Sequence, residues 1–583
     1  MEKTTNKKQS FMAGVLTVFF AQIIIKILGL IYRLVITNIP YFGDAGNGLY
    51  SAGYQIYTLL LAIASIGVPS AIAKLVSERI AIGKHREAHD IFKTALLLFG
   101  IIGFVGSSIL FFGAKYISAE LIGNPDVEGI MVALAPAVFF VAISAVIRGY
   151  FNGMYNMKVA SNSQMLEQLF KSILTIGLVV AVYFLAVVNP TDLSKALNLS
   201  VDTVTVAMAT AANAASTIAT VICCGYLLLY YQRSKKEIWK NINESNEVEY
   251  KKENRTTIMK KILAVSIPIS LASIISAINR NIDTFTVING LKVALANAYP
   301  TIELIQNEAT RLYGILSGRV DTLIGLPTAL NIAFATALVP AVSETMAKGD
   351  VKTARRRITF SIRTTLLIAL PCAIGMCVLA EPILNLLFPN VYAKEAGLLL
   401  QISSFTIIFT LMNQTVAGAL QGLGKVMAPA ISLACGAVVK LILNLTLIRN
   451  PQIGIYGAAI SSVAAALTAM IINLIVLRKK IRLDTGITSL VVKPLLASLI
   501  MGAFAFLSHH YVSVYLTKGR MATIIAILIA IISYIFAVLS LKIFDREDYH
   551  MLPFGDKIYK FLQKIKVVKP QYKGKKGRHN CSN

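Results

Sequence analysis

Charged residues are scarce in this chain. Only 15% of its 583 residues are Asp, Glu, Lys or Arg, while 56% are hydrophobic. Soluble domains carry roughly 25% charged residues. This composition excludes an ordinary soluble domain and predicts a multi-pass membrane protein. Ten-residue segments of alternating polarity, the pattern of a membrane β-barrel, are also lacking, so we predict an all-α polytopic fold.

Residues suited to catalysis or metal binding are equally sparse. The six cysteines lie mostly inside apolar runs, without the spacing of a metal site or a disulfide framework. His85 and His89 have the spacing of helical metal ligands, but they lie beside Lys84 and Arg86, where we expect a solvated connection. No nucleophile is placed with a base at membrane depth. We therefore predict no enzymatic activity, no metal and no bound cofactor.

Fourteen apolar runs are long enough to cross a bilayer, which takes about 20 residues per helix. The first run is longer than the apolar part of a signal peptide and lacks a small-residue cleavage site, so we expect it to be retained. An even number of spans places both ends of the chain on one side. The predicted spans are 11–38, 48–78, 94–113, 129–152, 163–188, 203–231, 262–289, 312–343, 364–382, 397–420, 428–448, 455–477, 488–512 and 521–541.

Basic residues outnumber acidic ones, 56 to 29, and their placement predicts the orientation. Lys and Arg concentrate in alternate connections, so the positive-inside rule places both termini in the cytoplasm, with the spans in a bacterial cytoplasmic membrane. We assign the net charge of +27 to this asymmetry rather than to nucleic-acid binding. The tail from Lys557 onward is basic and has no acid, and we expect it to contact anionic membrane lipids.

An internal repeat divides the chain. VSERIAIGKHREA at 76–88 matches VSETMAKGDVKTA at 342–354, and the segment 149–174 matches 418–443 at nearly the same offset. Six predicted spans fall in each period, so both copies enter the membrane from the same side. A parallel repeat predicts two lobes with the substrate site between them. The predicted units are a six-helix lobe (1–231), a cytoplasmic linker (232–261), a second six-helix lobe (262–477), two extra helices (478–541) and a basic tail (542–583).

Seven cations lie within the predicted spans, whereas only three acids clearly do. They are Lys26, Arg33, Arg148, Lys171, Arg280, Arg319 and Lys440, with the acids Glu167, Asp283 and Asp321. A cation inside a membrane helix costs at least ~2.5–3.5 kcal/mol on insertion scales, so it normally faces a wet cavity or a partner. Spacing predicts two local pairs, Glu167 with Lys171 and Arg280 with Asp283. The interior then keeps surplus positive charge at several depths, which suits the path of an anion.

Some of these residues have other interpretations. Arg148 and Lys440 also fit side chains that extend to the inner lipid head groups. Lys26 and Arg33 fit such a role least, because they share one helical face and their helix carries no acid. Three tyrosines in the second span suit either a sugar or an interfacial aromatic belt, and we favour the belt. They are Tyr50, Tyr54 and Tyr57.

The segment RGYFNGMYNMKVASNSQMLEQLFK at 148–171, together with the two six-helix copies and the cationic first span, carries a family resemblance. The chain resembles the polysaccharide-transport branch of the multidrug/oligosaccharidyl-lipid/polysaccharide exporter superfamily, with its stage V sporulation protein B and MurJ-type lipid II flippases. The resemblance implies a V-shaped bundle of two lobes plus two C-terminal helices. It also implies movement of undecaprenyl-pyrophosphate-linked saccharides, such as lipid II, across the membrane by alternating access.

The resemblance also implies roles for individual residues. The cavity cations of the flippases correspond to Lys26, Arg33 and Arg319, and the Na⁺ site of ion-coupled members corresponds to Asp283 and Asn444. Combining both lines of reasoning, we predict substrate binding by Lys26, Arg33, Arg280, Arg319, Arg148 and Lys171. We predict coupling or charge-pair roles for Asp283, Asp321, Glu167 and Asn444. The coupling ion stays open between Na⁺ and H⁺.

The leading hypothesis is therefore a flippase for a lipid-linked oligosaccharide, used in cell-wall synthesis. The alternative is a cation-coupled multidrug exporter of the same superfamily, although such exporters need acids in the binding lobe, where cations predominate here. A third class is a non-transporting scaffold. We expect a monomer, with a lipid-linked saccharide as substrate and cell-envelope synthesis proteins as candidate partners.

Overall fold

The computed structural model describes residues 24–188, 201–244, 253–388, 393–481, 488–515, 519–541 and 543. Within these ranges the chain forms helices joined by short connections, and it contains no strand. The all-α prediction is confirmed. Nearly all of the predicted basic tail, and the beginning of the first predicted span, lie outside the described residues.

The helices are labelled here in chain order, and several are joined by short π-helical segments. Two of these segments are Ala62–Ile66 and Ile315–Val320. π-Turns are rare and occur often at functional sites. The helices are α1 (residues 24–37), α2 (Gly43–Leu61), α3 (Val68–Ala81), α4 (His85–Tyr116), α5 (Glu128–Gly153), α6 (Met157–Tyr183), α7 (Val201–Glu244), α8 (Arg255–Ala294), α9 (Ile302–Gly314), α10 (Asp321–Ala347), α11 (Val351–Val378), α12 (Ala380–Leu387), α13 (Ala393–Gly422), α14 (Met427–Leu447), α15 (Tyr456–Lys480), α16 (Lys493–Tyr515) and α17 (Arg520–Ser540).

Ten helical segments in the described ranges are long and apolar enough to cross a membrane, so the protein is a multi-pass membrane protein. Each of the fourteen predicted runs is mostly helical where it is described, but the count of fourteen spans stays a prediction. The long helical stretches outside the ten are 43–81, 255–294 and 302–347. They carry many of the polar residues of the site described below.

The sequence repeat corresponds to repeated packing. The turns after α3 and after α10 each hold a glycine in the left-handed region, Gly83 at φ +78° and Gly349 at φ +72°, as required where a helix reverses direction. Gly149 of α5 lies against the backbone of Pro69, and Gly418 of α13 lies in the same way against the backbone of Ala335. Each pair lets two helices approach without a side chain between them, so both copies need glycine.

The two lobes share one hydrophobic core on the predicted outer side. This core joins Ile36 and Phe42 from the first lobe (α1–α7) to Leu312, Leu384 and Phe388 from the second lobe (α8–α15). Toward the predicted inner side, the first lobe packs a core of its own around Ile72 and Phe92, which also takes in the start of α8. The second lobe has a separate core there. Apart from the start of α8, which packs in the first lobe's inner core, the described parts of the two lobes therefore share a core on the outer side only.

Helix α8 is the second lobe's main contact with the first. Its Ser270 lies against Gly67, Asn281 donates to the carbonyl oxygen of Gln55 (3.1 Å), and Asn289 donates to that of Leu121 (2.9 Å). Helices α7 and α8 both extend into the segment predicted as the linker, because α7 continues to Glu244 and α8 begins at Arg255. Helix α8 thus contacts the first lobe along much of its length.

Candidate functional site

On the predicted outer side, glycines let the backbones of the two lobes come into direct contact. A Cβ added to Gly48 would lie 2.2 Å from the carbonyl oxygen of Thr310, and one added to Gly314 would lie 1.8 Å from that of Asp44. Real Cβ atoms do not approach so closely, so only glycine fits at these positions. Helices α2 and α9 thus touch along a glycine-lined seam. We call this seam, together with the polar contacts described next, the outer seal.

A buried ion pair crosses the outer seal. Asp44 of α2 accepts a hydrogen bond from Nε of Arg319, and the side chains are only 10% and 5% exposed. The guanidinium also lies 5.0 Å from the ring centroid of Phe388. Arg319 was predicted to bind substrate, but in this conformation Asp44 neutralises it. Spacing along the second lobe could not reveal this pair, because its acid comes from the first lobe.

An amide network extends the outer seal. Asn124 donates to Oγ1 of Thr310 (2.9 Å) and accepts from Nε2 of Gln306 (3.0 Å). Lys292 of α8 donates to the carbonyl oxygen of Gly123. All of these bonds join the connection between α4 and α5 to the second lobe. The outer side is therefore closed by specific polar contacts as well as by apolar packing.

Arg33 lies on the inner side of this seal. Its Nη2 donates to Oγ of Ser51 (2.6 Å), and the guanidinium lies 4.6 Å from the ring centroid of Tyr50. The side chain is 7% exposed, and its Nε has no hydrogen-bond partner. Asp321 is near enough to interact electrostatically, but the two do not form an ion pair. Arg33 thus keeps both a charge and an unused donor.

Lys26 and Arg280 add charge from the two lobes. Lys26 of α1 is exposed, and Arg280 of α8 is close enough to repel it electrostatically. Arg280 donates to Oγ of Ser276 (3.0 Å) and does not form the predicted pair with Asp283. Lys26 therefore lies on the side of α1 near the second lobe. In the described part of the chain, neither cation has a carboxylate partner.

The first lobe contains a further cationic cluster. Lys171 of α6 is 9% exposed, donates to the hydroxyl of Tyr54 (2.9 Å) and lies 4.0 Å from that ring's centroid. The predicted pair of Lys171 with Glu167 is absent, because Glu167 accepts instead from Arg148 (2.6 Å). Arg148 also donates to Ser163 (2.8 Å). Arg148 is thus neutralised within its lobe rather than extended to lipid, and its predicted role in substrate binding stays untested.

The tyrosines of α2 line the interior. Tyr50 and Tyr57 are buried, at 2% and 3% exposure, and the ring centroids of Tyr50 and Tyr54 are 5.6 Å apart in a stacked arrangement. The hydroxyls of Tyr32 and Tyr50 are 3.3 Å apart. The favoured interpretation as an interfacial belt was therefore wrong. An amphipathic ring suits either place, so its sequence pattern did not distinguish them.

Asp283 has a partner from another helix. It accepts from Nζ of Lys440 on α14 and from Nδ2 of Asn444 (3.0 Å), and Asn444 also donates to Thr286 (2.8 Å). Ser461 of α15 donates to the other end of the Asn444 amide. Asp283 and Asn444, for which coupling or charge-pair roles were predicted, are thus in contact, and their roles stay a prediction. The snorkelling interpretation of Lys440 is wrong, since its ammonium lies against Asp283.

Two site residues escaped the sequence analysis. Asp44 falls between the first two predicted spans, and Ser51 falls inside the second. The close spacing of Gly43, Gly46 and Gly48 around Asp44 was a usable signal for close helix contact. Among the described residues, the cations that remain without a carboxylate partner at the site are Lys26, Arg33, Lys171 and Arg280. Such a site attracts an anion.

Comparisons with known proteins agree with this architecture. The family model described as polysaccharide biosynthesis protein matches residues 11–346, and the model for lipid II flippase MurJ matches residues 314–541. Three relatives from Bacillus subtilis (strain 168) are similar over most of their length. They are the uncharacterized membrane protein YabM (27% identical, 96% of this chain and 98% of the relative), stage V sporulation protein B (26%, 80% and 83%) and lipid II flippase MurJ (24%, 78% and 80%).

Solved structures show the same fold. Lipid II flippase MurJ in an inward closed conformation superimposes with a TM-score of 0.61 at 16% identity, over 91% of this chain and 99% of that one. A multidrug resistance MATE family transporter of the MOP superfamily, in an inward-facing conformation, gives 0.60 at 15% identity, over 80% and 98%. The chain therefore belongs to the polysaccharide biosynthesis protein family and is a multi-pass membrane transporter with the fold of the MOP superfamily.

Proposed function

We propose that this protein is a flippase for a lipid-linked oligosaccharide whose lipid and sugar are joined through pyrophosphate, as in cell-wall precursors such as lipid II. One observation carries the proposal. Lys26 and Arg33 from the first lobe and Arg280 from the second have no carboxylate partner within the described residues. A cation kept unpaired at membrane depth is costly, so its retention points to a ligand of opposite charge.

Pyrophosphate suits these groups chemically. Charge-assisted hydrogen bonds from Arg or Lys to phosphate are among the strongest that proteins make. The free Nε of Arg33 offers a donor that no protein group uses. Arg280 on the opposite lobe brings a second charge to the same ligand, which would relieve its repulsion with Lys26. Binding would therefore draw the lobes together around the head group, while the polyprenyl chain stays in lipid.

Alternating access would use the outer seal. A seal that opens and closes needs contacts that form in one state and break in the other. The ion pair between Asp44 and Arg319 can do this, because its partners come from different lobes. We propose that the seal opens after the head group has bound, and that the second lobe moves together with α8. The relative named lipid II flippase MurJ supports the substrate class.

The driving force is part of the proposal. Asp283 and Asn444 form the candidate coupling site, for either Na⁺ or H⁺. In this conformation the ammonium of Lys440 neutralises Asp283, so an ion can engage the carboxylate only after Lys440 has moved. Asp321 forms no ion pair within the described residues and lies near both Asp283 and Arg33. It is the acid through which protonation would most directly change the charge of the site.

The test is transport by the purified protein in liposomes. A fluorescent undecaprenyl-pyrophosphate-linked disaccharide is placed in the membrane, and its exposure on each leaflet is followed with a quencher that cannot cross. We expect Arg33→Ala to abolish transfer, and Lys115→Ala, which removes an exposed cation of α4, to leave it unchanged. Equal transfer by the wild type and Arg33→Ala would refute the proposal. Export of cationic drugs without transfer of this lipid would support the multidrug alternative instead.

A further inference from the structure

A pocket inside the first lobe lies apart from the cations between the lobes. It has a volume of about 250 Å³ and lies among α1, α2, α5, α6 and α7, without a residue from the second lobe. Polar and aromatic groups dominate its lining, including Tyr54, Tyr57, Glu167, Gln168, Lys171 and Ser216. Neither the proposed phosphate site nor the outer seal needs this pocket. Its chemistry therefore calls for its own explanation.

Two acceptors in the pocket are unused. Ser216 is 4% exposed, yet its hydroxyl has no hydrogen-bond partner, which is unfavourable for a buried polar group. Glu167 gives one carboxylate oxygen to Arg148, and its other oxygen forms no bond within the described part of the chain. These groups are suited to a ligand that both donates and accepts hydrogen bonds. Hydroxyl groups do both.

The charges and rings narrow the ligand class. Arg148 is neutralised by Glu167, which leaves Lys171 as the single cation of this lining without a carboxylate partner among the described residues, against three cations between the lobes. A second phosphate would therefore be held less well here than between the lobes. A hydrocarbon chain would leave the buried polar groups unpaired. The rings of Tyr54 and Tyr57, whose centroids are 5.5 Å apart, line the pocket and add aromatic carbon beside its polar groups. A polyhydroxylated ring with one apolar face matches this combination.

Size and position agree with that class. Pockets for drug-sized ligands measure roughly 300–1,000 Å³, so about 250 Å³ admits a single ring rather than a whole head group. Ile25 lines the pocket and directly precedes Lys26 in α1. Gln168 lies 3.8 Å from the point where a Cβ on Gly29 would be, on the same helix. The pocket thus opens beside the helix that carries Lys26 and Arg33.

From this arrangement we propose that the pocket binds one sugar ring of the lipid-linked substrate, the ring next to the pyrophosphate. This inference rests on the proposed function and adds to it a recognition site for saccharide. The cations between the lobes bind the pyrophosphate, and the pocket recognises the sugar attached to it. Ser216, Glu167 and Gln168 supply its hydrogen bonds, and Tyr54 and Tyr57 supply its apolar face.

The experiment compares two lipids on the full-length protein in lipid nanodiscs. The probes are undecaprenyl pyrophosphate and the same lipid carrying one N-acetylhexosamine. We expect the sugar-bearing lipid to bind about 10-fold more tightly to the wild type. Ser216→Phe fills the pocket and should remove this advantage while leaving the affinity for the sugar-free lipid unchanged. Ile218→Phe, on the exposed face of the same helix, should keep both affinities.

Gln168→Ala provides a milder variant that keeps the pocket open. It should weaken binding of the sugar-bearing lipid about threefold or more, with no effect on the sugar-free lipid. Equal affinities of the wild type for the two lipids would overturn the inference, as would a Ser216→Phe variant that still prefers the sugar-bearing one. If the wild type bound neither lipid, the proposed function itself would fail, which is a different result from loss of the sugar preference alone.

Discussion

Replacing Asp44 by Asn should open the outer seal. Asp44 and Arg319 are 10% and 5% exposed, so the substitution leaves a guanidinium nearly buried without its counter-charge. Removing one partner of a buried ion pair ordinarily costs ~3–5 kcal/mol. The penalty falls on the state in which the lobes touch, because separation of the lobes returns Arg319 to water. At ~1.4 kcal/mol per tenfold change, the equilibrium constant for closure of the outer seal should fall at least about 100-fold.

Thiol labelling from outside measures this opening. Thr310→Cys places a reporter in the seal, where the native side chain is 3% exposed. The background lacks Cys435, which is exposed, and also lacks Cys581. Labelling by a reagent that cannot cross the membrane should accelerate at least tenfold with Asp44→Asn. The reasoning is refuted if the labelling rates with and without Asp44→Asn agree within twofold.

Two further variants separate the ion pair from general damage. Asp202 accepts from Asn307 of the second lobe (3.2 Å) at an exposed position. Asp202→Asn should change labelling by less than about threefold, since exposed polar contacts are worth little. Adding Arg319→Leu to Asp44→Asn should slow labelling again, because it removes the uncompensated charge. Additive effects of the two changes would mean that the residues act independently.

Two other outcomes follow from the same contacts. Gly314→Ala forces a Cβ toward the carbonyl oxygen of Asp44, 1.8 Å away. It should therefore accelerate labelling of Thr310→Cys from outside at least tenfold. Gly325→Ala, whose added Cβ would have nothing within 4 Å, should leave the labelling rate unchanged. Lys440→Met leaves Asp283 uncompensated and should lower the thermal unfolding temperature of the purified protein, and Asp283→Asn in addition should restore part of it. An unchanged unfolding temperature for Lys440→Met would contradict the assigned pair.

The lobes and the surplus of internal cations could be predicted from sequence, because both leave periodic or compositional signals. The repeat aligns Gly83 with Gly349, and the structure has a turn at each of them. An excess of Lys and Arg within apolar runs predicted unneutralised charge. Both features depend on which residues are present and in what order, so they need no knowledge of which helices touch.

Ion-pair partners could not be predicted in this way. Glu167 and Lys171 have favourable spacing, but such a pair adds only ~0.2–0.5 kcal/mol on a helix. Arg148 reaches Glu167 from a neighbouring helix and makes a charge-assisted hydrogen bond in a buried place, which is stronger. Asp44 looked like a residue of an exposed connection, and its burial arises only where the lobes meet. Pairing between helices is a property of tertiary packing.

The most direct test of the central claim is the affinity of the protein in nanodiscs for undecaprenyl pyrophosphate, measured with Lys26, Arg33 and Arg280 each replaced by Gln. A charge-assisted hydrogen bond is worth ~1.5–3 kcal/mol, so the account predicts a loss of about 10- to 100-fold for Arg33→Gln, and a weaker loss for each of the others. Affinity that stays unchanged in all three variants would contradict an anion bound between the lobes.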